Sequence, residues 1–185
     1  MGWLPLVIVL AIILIIILWG VSAYNKLVSF SVRVDNGWSQ VDVQLKKRFD
    51  LIPNLVETVK GYAAHEKTTL SEVTKWRGAA MSAKTPEEAM ESNAKLSRAI
   101  VNLFATAEQY PDLKANQNFL SLQSQLSDIE GKIAVSRQFY NDTAMRYNEY
   151  VMHFPSNLIA SMFHFGMRRY FEIEEGDRAV PQVKF

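Results

Sequence analysis

The sequence predicts an all-α fold, an N-terminal transmembrane helix followed by an antiparallel bundle of long helices, on three observations. Residues Gly2 to Asn25 carry no charged side chain, and from Leu4 to Leu18 only Pro5 and Ala11 interrupt a run of Leu, Ile and Val. Beyond that run, apolar residues recur in alternating steps of three and four, the repeat of helices packed side by side. The breaks fall at Thr85-Pro86-Glu87-Glu88, Tyr110-Pro111-Asp112 and Phe154-Pro155-Ser156, where proline and capping residues punctuate helices.

The apolar run is long enough to cross a bilayer, which takes roughly 20 residues because each backbone amide must be bonded within the helix. Trp19, Ser22, Tyr24 and Asn25 suit the headgroup boundary, and Trp3 suits the opposite one. Val21-Ser22-Ala23 offers small residues to a signal peptidase. Against cleavage, no basic residue precedes the run, and the run exceeds the apolar stretch of about 7–15 residues in signal peptides. A retained anchor over residues 1–25 is expected. The absence of Cys excludes a lipoprotein, and Leu6 breaks the myristoylation pattern. Lys26, Arg33, Lys46, Lys47 and Arg48 all follow the span, which places the body on the cytoplasmic side.

The 20 basic and 19 acidic residues all lie after the anchor, in a stretch long enough for one domain with its own core. With no basic excess, a nucleic-acid partner is not expected. Zero Cys removes disulfides, thiolate catalysis and Cys-based zinc sites. No glycine-rich linker or low-complexity tract divides the body, so residues 26–170 are expected to form one helical bundle and 171–185 a tail.

Each helix is traced by its seam. The first runs Trp38, Val41, Leu45, Arg48, Ile52, Leu55, Val59, Tyr62, Glu66, Thr69, Val73, Trp76 and Ala80. It predicts one helix from about Ser31 to Ala80, some 75 Å long at 1.5 Å per residue. Pro53 falls inside it and should kink it near residue 49 without ending it, since the seam resumes in phase. Thr85-Pro86-Glu87-Glu88 reads as N-cap, N1 proline and capping-box carboxylate, starting a second helix with the seam Ala89, Asn93, Leu96, Ile100, Leu103, Ala107 and Tyr110. The third seam, Phe119, Leu122, Leu126, Ile129, Ile133, Ser136, Tyr140, Thr143, Tyr147, Tyr150 and Phe154, predicts a helix from Asp112 to Phe154, about 64 Å long. Short connections make neighbours antiparallel. The second helix covers only part of the long pair, so a fourth helical element from Ser156 to Arg169, or another subunit, should cover part of the rest.

No enzyme motif emerges. His65-Glu66 begins like a zincin helix, but Thr69 stands where the second ligand belongs, and His153 and His164 have no ligand spacing. Ser97 and Ser121 lack a nucleophile elbow, and no glycine-rich phosphate loop exists. No catalytic residue, cofactor or metal is expected.

The candidate residues are therefore interaction residues. Lys46-Lys47-Arg48 could meet lipid headgroups. It reads better as a solvated face balanced by Asp42 and Asp50, because it lies about 30 Å beyond the membrane on an upright helix, past the Debye length. Asp50, Asn54 and Glu57 form a polar ridge, either an inter-subunit contact or, by preference, the exposed side. From Phe154 to Phe171, with Phe163 within it and Arg168-Arg169 near its end, the chain is apolar over more than one helical stripe. Burial against the long helices is the first reading; a lipid-interface helix or an oligomer contact are the others. Beyond it, Glu172 to Asp177 is acidic, and Pro181 excludes a regular helix from the last residues.

Tyr24-Asn25-Lys26-Leu27-Val28, Trp38 to Leu45, Arg48-Phe49-Asp50-Leu51-Ile52-Pro53-Asn54-Leu55-Val56, Val59-Lys60-Gly61-Tyr62 with His65-Glu66, Tyr147-Asn148 and Phe154-Pro155-Ser156-Asn157 together resemble the LemA family over nearly the full length. The D-L-I-P-N-L-V core is the most specific part. The resemblance implies a single-pass protein of the bacterial inner membrane, N-terminus outside, with a cytoplasmic helical bundle and no established activity or cofactor. It also implies links to magnetosome membranes and to neighbouring membrane-protease genes. The expected function is a non-enzymatic membrane-anchored scaffold whose partners are the lipid bilayer, further copies of itself and a membrane protein. The alternative is an adaptor or subunit of a membrane protease or other membrane enzyme.

Overall fold

A computed structural model describes residues 3–63 and 65–171. Every regular element among them is helical: α1 (Leu4–Lys60), α2 (Lys67–Ser82), α3 (Pro86–Ala107), α4 (Pro111–Lys114), α5 (Gln117–Met152) and α6 (Ser156–Met162). The predicted tail beyond Phe171 lies outside the described residues. The chain divides into two compact units, one made of Met1–Gly37 with Phe139–Phe185, the other of Trp38–Gln138.

α1 carries the apolar run and the first bundle helix as one piece of 57 residues, about 86 Å long. Its residues from Leu4 to Trp19 are exposed, as a lipid-facing span requires, and burial begins at Ala23 and Leu27.

In the unit Trp38–Gln138 the predicted seams are the core. Val41, Leu45, Ile52, Leu55 and Val59 of α1 are buried together with Leu96, Ile100, Leu103 and Ala107 of α3 and Phe119, Leu122, Leu126, Ile129 and Ile133 of α5. Pro53 lies within α1, as expected. Its ring nitrogen cannot donate to the carbonyl of Phe49 one turn back. Arg77 of α2 donates its Nε–H to that carbonyl at 2.8 Å, replacing the missing helical hydrogen bond.

The predicted helix from Ser31 to Ala80 is two helices. α1 ends at Lys60, and α2 starts at Lys67. The seam stays in phase across the break, so periodicity did not show it. The available stop signal was a basic residue in the last turn followed by glycine, Lys60-Gly61. The break is held from the opposite chain connection: Tyr110 donates its hydroxyl to Glu66 at 3.0 Å, and Asn116 donates to the Tyr62 hydroxyl at 2.9 Å. The bond to Glu66 pushes the Tyr110 phenol up from its ordinary pKa.

The start of α3 forms as predicted. Thr85 Oγ1 accepts from Glu88 N–H at 3.2 Å, and Glu88 reaches back to Lys84 N–H at 2.9 Å. The third helix starts later than expected. Pro111 opens only the single turn α4, and Asn116 then caps α5 by accepting from Phe119 N–H at 3.0 Å.

In the other unit, α1 and α5 pack closely at Gly37. A Cβ there would lie 3.1 Å from Thr143 Oγ1 and 3.3 Å from the Tyr140 Cα, so the glycine permits the approach. The predicted helix from Ser156 to Arg169 stops at Met162. Its end is a Schellman motif: Phe165 N–H donates to Ala160 O at 2.9 Å and His164 N–H to Ser161 O at 3.3 Å, with His164 left-handed at φ 59°. Histidine occupies the position that glycine usually announces.

Candidate functional site

Two groups of side chains merit attention, one in each unit. In Trp38–Gln138 the first seam places Arg48 in the core, where it is 0% exposed. Its Nη1 donates to Ser97 Oγ at 2.8 Å and Glu130 Oε1 at 2.7 Å; its Nη2 donates to Asn93 Oδ1 at 2.5 Å and Asn93 O at 3.4 Å. Asn93 is oriented by its own bond from Nδ2 to Ala89 O at 2.8 Å. Burial, and after it the charge of Arg48, lowers the pKa of Arg137, while Glu130 opposes the shift. Ser97 and Glu130 also line an open cleft of about 580 Å³, but Arg48 is sealed behind them. The four terminal N–H donors of its guanidinium are engaged here. This centre ties α1 to α3 and α5 through one guanidinium.

Arg48 thus departs from the basic patch in which the sequence placed it. Lys46 and Lys47 are exposed, and the seam position of Arg48 prevails over its charge because two helices, α3 and α5, supply acceptors. Asp50, Asn54 and Glu57 all lie on the exposed side of α1; of these, Glu57 meets Lys60 at 3.6 Å.

The second group lies in the unit that contains the candidate span. After α6 the chain runs back along α5 as an irregular strap. Asn148 pairs with both sides of one strap residue, donating to Arg168 O and accepting from Arg168 N–H, each at 2.8 Å. Asn141 repeats the arrangement with Phe171, at 3.0 and 2.9 Å. The tyrosine before each asparagine adds a bond: Tyr147 to Gly166 O and Tyr140 to Arg169 O, each at 2.9 Å. Burial raises the Tyr147 pKa, with Arg168 lowering it and Asp35 raising it by smaller effects. Arg168 reaches α1 through Ser31 and Asp35, both at 3.2 Å.

Of the remaining candidates, Phe163 packs against Tyr24 with ring centroids 4.7 Å apart and planes tilted by 59°, and stays half exposed, Arg169 is exposed, and Phe154 is 79% exposed. The expected burial of the whole Phe154–Phe171 segment is thus replaced by a divided one, with small residues turned in and large apolar ones out. Sequence reasoning missed the strap. Its trace was the Tyr-Asn dipeptide at 140–141 and again at 147–148, one heptad apart on the inner face.

The LemA family profile matches residues 37–185. The chain belongs to the LemA family. It is similar to "Protein LemA" of Metamycoplasma hominis, 27% identical over 139 residues, covering 74% of this chain and 63% of that protein. It is also similar to "Magnetosome protein MamQ 2" of Paramagnetospirillum magneticum, 24% identical over 175 residues, covering 80% and 64%. A MamQ of Magnetospirillum gryphiswaldense is 24% identical over 189 residues, covering 86% and 70%. This LemA chain therefore spans just under two thirds of the length of the first two relatives. The D-L-I-P-N-L-V core of the LemA resemblance coincides with the Pro53–Phe49–Arg77 arrangement and follows the buried Arg48.

Proposed function

We propose that this LemA protein is a membrane-anchored scaffold, without catalytic activity of its own, that self-associates and organises a membrane or membrane-protein assembly. The observation that carries the reading is α1 itself. The candidate span runs on into the body as one unbroken helix, and Val21, Val28 and Val32 are all exposed along it. At about 100° per residue these valines fall within a stripe about 40° wide. An apolar stripe continuous with an anchor suits parallel neighbours in one bilayer, where confinement raises effective concentration. The names of the magnetosome relatives support a place in a larger cellular structure. Lys26 and Arg33, the first charges after the span, support a body on the cytoplasmic face of the inner membrane.

Disulfide cross-linking in intact membranes tests the scaffold. The chain has no Cys, so Val32→Cys should give dimers, and Val32→Cys with a second cysteine on the outer side of α5, at Met145, should give ladders. Extracted protein that stays monomeric at every concentration, with no cross-link in membranes, would remove the scaffold and favour the adaptor for a membrane enzyme. A C-terminal reporter active only outside the cytoplasm would overturn the orientation.

A further inference from the structure

The charge-free stretch at the N-terminus has a counterpart late in the chain. From Tyr150 to Met167 there is no Asp, Glu, Lys or Arg. The fold brings the two stretches together in one unit and aligns their limits. Lys26, the first charge after the span, sits over the ring of Tyr150, where the second stretch begins, at 4.9 Å. Arg168, where charge resumes, pairs with Asp35 further along α1.

α6 lies on the membrane side of that limit. Ile159 Cδ1 is 3.7 Å from the Cβ position of Gly20, and Phe163 and Phe165 pack on Tyr24. A span that starts at Leu4 reaches the end of a 30 Å hydrocarbon core after about 20 residues, near Tyr24. Contact at Gly20 therefore places α6 within about 6 Å of that boundary, the depth at which interfacial helices reside. Its orientation agrees. Ser156 and Ala160 face the protein, while Leu158, Met162 and Phe163, with Phe154 just before the helix, are exposed. Turning small residues in and large apolar ones out is costly in water and suited to acyl chains.

We propose that α6 is inserted edge-on into the lipid–water interface of the bilayer crossed by α1, with Phe154, Leu158 and Met162 among the acyl chains. The proposal rests on the reading of α1 as a span and adds a second attachment point, which fixes the tilt and rotation of the body about its anchor.

Single cysteines labelled with an environment-sensitive fluorophore test it in the full chain, reconstituted in phosphatidylethanolamine/phosphatidylglycerol vesicles carrying nitroxide lipids. Leu158→Cys and Met162→Cys replace exposed side chains, so folding is preserved. The label at both should shift to the blue and lose intensity, more with nitroxides near the headgroup than with deep ones. Ile15→Cys in the span should show the reverse depth preference. Quenching at residue 15 but not at 158 or 162 overturns the interfacial helix and leaves the span intact. No quenching at residue 15 overturns the span, and the proposal with it. A blue shift at 158 that ignores nitroxide lipids and disappears on dilution into excess lipid assigns the surface to a second copy, against the proposal.

Discussion

Arg77 Nε donates to the carbonyl of Phe49 at 2.8 Å, the carbonyl that Pro53 leaves without its helical donor. A proline inside a helix costs about 3 kcal/mol through the lost bond and the ring's clash. The guanidinium offsets the first part and pins α2 against α1 at the same point. A residue needed by the helix has thereby become a residue needed by the tertiary fold.

Arg77→Ala should therefore lower unfolding free energy by about 2 kcal/mol, the range for hydrogen bonds from charged donors. In a Pro53→Ala background the helix supplies its own N–H, and the same substitution should cost less than half as much. A double-mutant cycle by urea unfolding measures the coupling; additive effects would show that Arg77 acts independently of the proline.

Glu130→Ala should be more damaging than Arg48→Met. The first leaves a fully buried guanidinium without its counter-charge, at about 3 kcal/mol. The second removes the buried charge and leaves Glu130, whose side chain is 39% exposed, free to turn to solvent. A cost of about 1–2 kcal/mol, mainly for the stranded Asn93 amide, is expected. Denaturant unfolding of the two variants gives the order directly.

For Asn148→Asp the strap should loosen. The carboxylate keeps the acceptor for Arg168 N–H but loses the donor, and it faces the Arg168 carbonyl instead. A loss of about 2 kcal/mol is expected, with faster hydrogen exchange at the Arg168 amide. Unchanged exchange there would mean that the strap is held by other contacts.

Tyr147 makes the unit containing the strap sensitive to alkali. Burial holds its folded-state pKa above the unfolded value of about 10, so the fold favours the protonated phenol. Its contribution is complete below about pH 10 and is lost as pH rises through the folded value. Tyr147→Phe should flatten that part of the stability profile while costing about 1 kcal/mol at neutral pH for the bond to Gly166.

His164→Gly should stabilise the protein by about 1 kcal/mol, because glycine enters the left-handed region without a Cβ penalty. Thermal unfolding reads the change. A loss of stability would show that the imidazole, not the backbone, is what the position requires.

The helices were legible where sequence periodicity and packing report the same thing. The seams from Val41 to Val59, Asn93 to Ala107 and Phe119 to Ile133 are buried almost without exception. Arg48 sat in its seam from the start, but its charge drew it into the neighbouring lysine pair, since acceptors from α3 and α5 are invisible in α1's own sequence. The stop at Lys60 was hidden because the next six residues preserve the phase of the repeat. The strap was hidden for another reason: its partners are side-chain amides and hydroxyls meeting backbone groups, an arrangement with no apolar period, and the turn into it uses histidine in place of the usual glycine.

The paired Tyr-Asn dipeptides have a consequence for chain length. Seven residues of α5 advance about 10.5 Å, whereas three residues of even a fully stretched chain reach only about 10–11 Å. Between Arg168 and Phe171 the strap therefore has no slack, and its two anchorages are commensurate with two turns of helix. Removing one strap residue leaves it too short for the second asparagine, and inserting one in α5 swings that asparagine about 100° away. A change of length that keeps both anchorages must add to both partners together, seven residues of helix with three of strap.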